Sequence, residues 1–88
     1  MKMKLKTWFS EADVRIILTL YPNNQFMVRD LIKRSRISSP QLYQTLSKYK
    51  DLFEIEMDGR KKYISLSIKG KKVGRALSKF LKLLEEIL

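Results

Sequence analysis

The polar side chains of the stretch 37–49 could bind a ligand through hydrogen bonds. The stretch reads Ile-Ser-Ser-Pro-Gln-Leu-Tyr-Gln-Thr-Leu-Ser-Lys-Tyr, and no carboxylate occurs in it. Amides and amines can hydrogen-bond to the edges of nucleic-acid bases, and hydroxyl groups can hydrogen-bond to phosphates. The composition therefore suits a helix that reads a base sequence, and it equally suits an ordinary surface helix that is short of acids.

The same stretch carries the signals of a helix start. Ser38 or Ser39 can cap the free amide groups, and Pro40 suits the first turn because its missing N–H costs nothing there. If Ser38 is the cap, Gln41 stands three residues later and completes a capping box. At about 100° per residue, one face carries the apolar residues Leu42, Leu46 and Tyr49. The far face carries Pro40, Gln41, Gln44, Ser47 and Lys48, with Tyr43 at its edge.

The composition limits the classes of function. The 88 residues include neither Cys nor His, which removes the usual metal ligands, the thiol nucleophile and the commonest general base. Nineteen Lys and Arg against nine Asp and Glu give a formal net charge of +10, which indicates a polyanionic partner. We expect a non-enzyme without cofactor or metal. Because no apolar run is long enough to span a membrane, we also expect an intracellular, nucleoid-associated protein. Abundant Lys with no Cys favours a thermophilic source.

Two helices are predicted ahead of the stretch 37–49. Ser10 caps the first, which runs to about Tyr21, before Pro22, and its inward side chains are predicted to be Val14, Ile17, Leu18 and Tyr21. A second helix over 27–34 buries Val28, Leu31 and Ile32. Basic residues line its exposed side: Arg29, Lys33, Arg34 and Arg36. Residues 1–6 are interpreted as a short edge strand, a basic arm or a frayed terminus, and Trp8 as a packing residue.

A β-hairpin is predicted after the stretch 37–49. Residues 53–57 alternate between apolar and acidic, which indicates a half-buried strand. Asp58 and Gly59 form the expected two-residue turn, and residues 62–66 form the return strand. Three basic residues follow the tip of the hairpin: Arg60, Lys61 and Lys62.

A long amphipathic helix is predicted over residues 68–87, with Ser67 as its cap. Its apolar stripe is wider than a small core requires, so we expect its far half to pair with a second copy rather than to fold back. The predicted interface consists of Val73, Leu77, Phe80, Leu81, Leu84, Ile87 and Leu88. Residues 1–67 then form the binding domain and residues 68–88 the dimerisation helix.

Two segments carry a resemblance to a known family. The first consists of residues 26–38, followed by Leu42, Tyr43 and Leu46. The second is the run Asp58-Gly-Arg-Lys-Lys-Tyr-Ile-Ser-Leu-Ser-Ile-Lys-Gly70. Over about residues 10–74 the chain resembles winged helix-turn-helix DNA-binding proteins, in particular small MarR-, ArsR- and PadR-like regulators of archaeal or archaeal-virus type. The resemblance implies a mainly α fold with a small β-hairpin wing (α+β). The larger relatives have additional helices for small-molecule effectors. This chain lacks them, so no effector is evident.

The resemblance also assigns roles by position. The helix 39–49 would enter the major groove, with a reading set of Ser39, Pro40, Gln41, Tyr43, Gln44 and Lys48. The wing 57–63 would touch the backbone or minor groove through Arg60, Lys61 and Lys62. The residues that would hold the DNA backbone are Arg29, Lys33, Arg34, Arg36, Ser38 and Ser47.

Three functions are consistent with these patterns. The first is a homodimeric, sequence-selective binder of double-stranded DNA that represses or otherwise regulates transcription. The second is an architectural or partition protein that coats DNA with little sequence preference. The third is a winged-helix module that docks on a protein or RNA, since the same fold serves that use too.

Overall fold

The computed structural model describes residues 9–88 of the chain. In chain order the elements are α1 (Glu11–Leu20), β1 (Phe26–Met27), α2 (Val28–Ser35), α3 (Ser39–Lys48), a 3-10 helix (Lys50–Leu52), β2 (Phe53–Asp58), β3 (Lys61–Leu66) and α4 (Ile68–Ile87). The predicted mainly α fold with a β-hairpin wing is confirmed. The predictions for residues 1–6 and for Trp8 lie outside the described residues.

Three helices begin at the serine residues that the sequence indicates as caps. The Ser10 hydroxyl accepts a hydrogen bond from the amide of Asp13 at 3.2 Å, and the Ser67 hydroxyl accepts one from the amide of Gly70 at 3.1 Å. Ser38 caps α3, so the alternative cap Ser39 becomes the first residue of that helix. Because these side chains satisfy amides that lack an intrahelical partner, each helix has a defined starting residue.

The sheet has three antiparallel strands in the order β1-β3-β2, which makes β3 the central strand. The pairing of Phe26 with Ile64 defines β1, a two-residue strand that the sequence analysis did not predict. Asp58 pairs with Lys61, so the hairpin loop is Gly59 and Arg60, one residue later than the predicted turn. Gly59 has a φ of +62°. A positive φ at Gly59 without one at Arg60 belongs to a type II′ turn, a favoured hairpin connection that places Gly at the first loop position.

The prediction of a half-buried β2 is wrong beyond its first residue. Phe53 is buried, whereas the five residues that follow it are exposed. Ile55 and Met57 lie on the same face as Phe53, because alternate residues of a strand share a face. Strand β2 is an edge strand, and Ile55 on it is 50% exposed although Ile64, opposite it on the central strand, is fully buried.

The core gathers side chains from α1, α2, α3 and the sheet. Its buried apolar residues are Ile16, Ile17, Leu20, Leu31, Leu42, Leu46, Phe53, Ile64 and Leu66. In α1 the fully buried residues are Ile16, Ile17 and Leu20. The predicted inward residues Val14 and Leu18 are only half-buried. The core-facing side of α1 is therefore rotated about the helix axis relative to the predicted one. In α2, Leu31 is buried as predicted, while Val28 and Ile32 are half-buried and pack against the core.

Helix α4 packs on the core through its first half. A Cβ atom on Gly70 would clash with the carbonyl oxygen of Leu52, and one on Gly74 would lie 2.7 Å from the ring of Tyr21. The two glycines therefore allow a close approach within the chain. Val73 and Leu77 also pack against the core, whereas most apolar residues of the second half are exposed.

Candidate nucleic-acid interface

The residues predicted as the reading set lie on the exposed side of α3. Ser39, Pro40, Gln41, Tyr43, Gln44 and Lys48 are all exposed, and so are Ser38 and Ser47. The opposite side of the helix is buried through Leu42, Thr45 and Leu46. The predicted apolar face is thus confirmed for Leu42 and Leu46, while Tyr49 is the half-buried residue that ends the helix. The exposed side carries hydrogen-bonding groups and Lys48, and no carboxylate.

Gln41 forms part of the N-terminal cap of α3. Its Oε1 accepts a hydrogen bond from the backbone amide of Ser38 at 2.8 Å, while its own amide donates to the Ser38 hydroxyl at 3.3 Å. This confirms the predicted capping box. The box uses one acceptor of the Gln41 side chain and leaves its Nε2 donors unused. Gln44, one turn later, is not part of the box, and its whole amide is available to a ligand.

The turn between α2 and α3 rests on α1. Arg36 has a φ of +57°, in the left-handed region, where it ends α2. The amides of Arg36 and Ile37 donate to the carbonyls of Lys33 and Ile32, the pattern of a Schellman motif. Arg15 then donates from Nη1 to the Arg36 carbonyl at 3.2 Å. The turn that sets the angle between α2 and α3 is therefore held by a side chain from a third helix.

A buried polar contact fixes α3 on α1. The Thr45 hydroxyl donates to Oδ1 of Asp13, and the second oxygen of that carboxylate accepts from the amide of Ser10 at 2.9 Å. Thr45 and Asp13 are both buried. No role was predicted for Thr45 from the sequence. The spacing could have placed Thr45 inward, because it lies three residues after Leu42 on the same face.

The cations on and just after α2 are exposed and form no salt bridge with an acid of residues 9–88. Arg29, Lys33, Arg34 and Arg36 are all exposed. The guanidinium carbon of Arg34 lies 4.6 Å from the ring centroid of Phe26, which orients that side chain through a cation–π contact. Across residues 9–88 the one salt bridge joins Arg15 to Glu11 at 2.7 Å. The positive charge beside α3 is therefore not neutralised by ion pairing within this part of the chain.

The wing contacts α3 directly. Arg60 and Lys61 are exposed at the tip, while Lys62 is half-buried. The Lys62 amine lies 5.8 Å from the ring centroid of Tyr43, within the range of a cation–π interaction. The contact joins one predicted wing residue to one residue of the predicted reading set. The two surfaces are therefore neighbours on the molecule.

The predicted interface residues of α4 divide into two groups. Val73 and Leu77 pack against the core of their own chain. The remaining residues lie on the second half of the helix, where Phe80 is 56% exposed and Ile87 is 68% exposed. Leu81, Leu83 and Leu88 are exposed as well, and Leu84 is half-buried. The end of α4 thus presents an apolar surface that the described part of this chain leaves uncovered.

No helix within residues 9–88 is long and apolar enough to cross a membrane. The same residues include no cluster of three or more acidic, Cys or His side chains that could hold a metal ion.

This arrangement, with α2 and α3 joined by a tight turn and followed by a hairpin and a long helix, is a winged helix-turn-helix fold. No protein-family model matches the chain, and no curated protein matches it. Solved structures do match. A protein from Archaeoglobus fulgidus has a TM-score of 0.77 at 21% identity, covering 94% of this chain and 98% of its own. SSV1 F-93 has a TM-score of 0.69 at 20% identity, with 93% and 98% covered.

A larger protein shares the same fold. The MarR family transcriptional regulator from Silicibacter pomeroyi has a TM-score of 0.74 at 18% identity over 89% of this chain. The chain spans 58% of the length of that regulator. At these identities the comparisons establish the fold, and the fold that they establish is the one that the resemblance implied.

Proposed function

We propose that this chain is a sequence-selective DNA-binding regulator of transcription that acts as a homodimer. The observation that carries the proposal is the exposed side of α3, which offers amide, hydroxyl and amine groups without a carboxylate. A helix fits the major groove, where each base pair presents a distinct pattern of donors and acceptors. Gln44 and Lys48, one turn apart and free of the capping box, are the side chains that we assign to base edges.

Backbone contacts are assigned to the cations on both sides of α3. Arg29, Lys33 and Arg34 on α2, with Arg36 in the turn, lie on the preceding side, and the wing tip lies on the following side. Contacts of this kind set the position of the reading helix and supply affinity that is independent of sequence. Because each neutralised phosphate releases counterion, about six such contacts would give a steep loss of affinity with salt.

Dimerisation is assigned to the second half of α4. The exposed apolar residues there would be covered by the same surface of a second copy, as a two-fold interface requires. The reading helices would then meet two half-sites of an inverted repeat, separated by about one helical turn. A homodimer that binds such an operator is suited to repression, because it can block access to a promoter.

The test is a selection of bound duplexes from a random library at about physiological salt, followed by sequencing. An inverted repeat in the bound pool is the expected result. Binding without any motif would favour the DNA-coating function. That second function has one observation in its favour, the exposed cations along α4: Lys69, Lys71, Lys72, Arg75, Lys79 and Lys82. A chain that binds no duplex would contradict both and favour an interaction module for protein or RNA.

A further inference from the structure

Strand β2 has a partner strand on one side only. The strand order β1-β3-β2 places β3 beside it, and no strand of residues 9–88 pairs with its other side. In a hairpin with a two-residue loop, the pair that flanks the loop is hydrogen-bonded, and bonded and non-bonded pairs then alternate along the strands. Because Asp58 flanks the loop, Asp58, Glu56 and Glu54 are bonded to β3. The backbone groups of Ile55 and Met57 therefore face away from β3, and we call this side of β2 the open edge.

The two faces of β2 differ in their chemistry. Ile55 and Met57 lie on one face, where they are 50% and 58% exposed. Glu54, Glu56 and Asp58 lie on the other face and are also exposed. None of the three carboxylates forms a salt bridge with a cation of residues 9–88. A strand that suits the open edge must therefore carry apolar and cationic side chains in alternation.

A second copy of β2 does not meet this requirement. Residues directly opposite each other in an antiparallel pair point to the same face. If two β2 strands paired with their apolar residues on one shared face, the carboxylates of one copy would lie opposite those of the other. Like charges in that arrangement destabilise the pair. The charges of β2 thus oppose edge-to-edge pairing between copies.

Residues 1–6 of the same chain have the required sequence pattern. They read Met-Lys-Met-Lys-Leu-Lys, in which a lysine follows each apolar residue. An antiparallel pairing with Lys4 opposite Glu56 would place all three lysines opposite carboxylates. It would also place Met3 and Leu5 opposite the apolar residues of β2. The segment and the open edge are therefore complementary in both charge and apolar character.

The described part of the chain begins close to the start of β2. Phe9 and Leu52 line the same surface groove, and the Phe9 ring centroid lies 4.7 Å from that of Tyr49. Leu52 is the residue that precedes β2, and Glu54 lies two residues, or about 7 Å of strand, beyond it. Lys6 precedes Phe9 by three residues, which span about 10 Å when extended. The segment can therefore reach the open edge of its own chain in the complementary register.

We propose that residues 1–6 dock on the open edge as the antiparallel neighbour of β2 within the same chain. An edge strand with exposed apolar side chains can pair with a strand of another molecule and so promote aggregation. Docking would remove the open edge from solvent and offset the negative charge on one face of the wing. The inference does not depend on DNA binding. The three proposed ion pairs are Lys2–Asp58, Lys4–Glu56 and Lys6–Glu54.

The first experiment measures disulfide formation in the 88-residue chain, which contains no cysteine of its own. Lys4→Cys combined with Glu56→Cys places two thiols on a non-hydrogen-bonded pair, where Cα atoms lie about 4.5 Å apart, within the range that a disulfide bridges. The matched control combines Lys4→Cys with Ile55→Cys, whose side chains would lie on opposite faces. In one glutathione buffer, we expect the ratio of oxidised to reduced protein to be at least about tenfold higher for the first variant, because only its thiols meet the geometry of a disulfide.

The second experiment measures amide hydrogen exchange and needs no cross-link. Docking would protect the amides of Ile55 and Met57, which face the open edge, whereas the Tyr63 amide bonds to Glu56 within the hairpin and serves as the reference. Reversing the charge of the segment should speed exchange at Ile55 and Met57 about tenfold and leave Tyr63 unchanged. That variant combines Lys2→Glu, Lys4→Glu and Lys6→Glu. Reversing the strand as well should restore the protection, since opposite charges again face each other. The added substitutions are Glu54→Lys, Glu56→Lys and Asp58→Lys.

Three results would overturn the inference. The first is equal oxidation of the two cysteine pairs. The second is exchange at Ile55 and Met57 that is as fast in the parent chain as in the variant with reversed lysines. The third is a covalent dimer in place of a cross-linked monomer on a denaturing gel without reductant, which would assign the segment to the β2 strand of a second copy. Because neither experiment contains DNA, these results would leave the proposed function unaffected.

Discussion

The hydroxyl of Thr45 on α3 donates a hydrogen bond to the carboxylate of Asp13 in the first turn of α1. Both residues are buried, with Asp13 5% exposed. A buried carboxylate is tolerated when its oxygens are hydrogen-bonded, and here the Ser10 amide bonds the second oxygen. Since Thr45 lies on the side of α3 opposite its exposed polar groups, this contact helps to fix how α3 is presented.

The first prediction concerns that contact. Thr45→Val preserves the shape of the side chain and removes the donor, so the Asp13 carboxylate is left partly unsatisfied. We expect the free energy of unfolding to fall by about 2 kcal/mol, the usual range for a buried group that loses its partner. Urea unfolding measures it. Thr19→Val is the control, because the Thr19 hydroxyl bonds to a backbone carbonyl on the outer part of α1. Equal losses in the two variants would contradict the prediction.

The second prediction concerns the left-handed residue in the turn. Arg36 has a positive φ, which costs a residue with a side chain about 1 kcal/mol relative to Gly. Arg36→Gly should therefore raise the free energy of unfolding by about that amount, and it should weaken DNA binding because a proposed phosphate contact is lost. Arg36→Ala separates the two effects. Arg36→Ala should weaken DNA binding as much as Arg36→Gly does, but it should not raise the free energy of unfolding. Titration with duplex measures the binding, and thermal unfolding measures the stability.

The third prediction compares the two glycines of α4. An alanine methyl at Gly70 would meet the backbone carbonyl of Leu52, whereas one at Gly74 would meet the Tyr21 ring. A backbone atom of the core cannot move aside cheaply. We expect Gly70→Ala to cost about 3 kcal/mol or more, as overpacked sites do. Gly74→Ala should cost less, because the Tyr21 ring can shift and Ala gains about 1 kcal/mol in helix propensity. Thermal unfolding of both variants provides the comparison, and equal losses would contradict it.

The sequence predicted the helices well because their signals are local. Each serine cap and each apolar period lies within one turn of the residues that it organises, and the Ser38–Gln41 box is an example. The inward face of α1 was predicted poorly for a physical reason. Apolar residues cover most of that helix, and the charged Asp13 lies on the buried side together with Ile16, Ile17 and Leu20. Its partner Thr45 is 32 residues away in sequence, so no local pattern shows that a carboxylate can be buried there.

The hairpin shows a second limit of sequence patterns. Alternation in β2 correctly indicates two faces, but it does not say which element covers the apolar one. Ile55 and Met57 are exposed on the edge strand, although Ile64, opposite Ile55 on the central strand, is fully buried. For the candidate site, the residue types on α3 were readable from the sequence. The contacts of Arg15 with Arg36 and of Lys62 with Tyr43 depend on the tertiary fold, so no pattern in the sequence indicates them.

The fourth prediction concerns the end of α4. Phe80→Glu combined with Ile87→Glu places two charges on the exposed apolar surface, where a second copy is proposed to pack. We expect the protein to change from dimer to monomer with its helical content retained, since neither residue belongs to the core. Light scattering after size-exclusion chromatography measures the mass. Lys79→Glu, on the basic face of the same helix, should remain dimeric. A parent chain that is already monomeric would contradict the proposed interface.

The fifth prediction separates base reading from backbone contact. Gln44→Ala removes an amide assigned to base edges, so we expect affinity for the selected site to fall about tenfold while affinity for random duplex is unchanged. Arg60→Ala combined with Lys61→Ala removes two cations from the wing tip. That double variant should lower the affinity for the selected and the random duplex alike. It should also reduce the slope of log affinity against log salt by about two. Titrations of both variants with both duplexes at several salt concentrations test the two outcomes together. If Gln44→Ala lowered the affinity for selected and random DNA equally, Gln44 would contribute only to sequence-independent binding. The main support for sequence selectivity through α3 would then be removed.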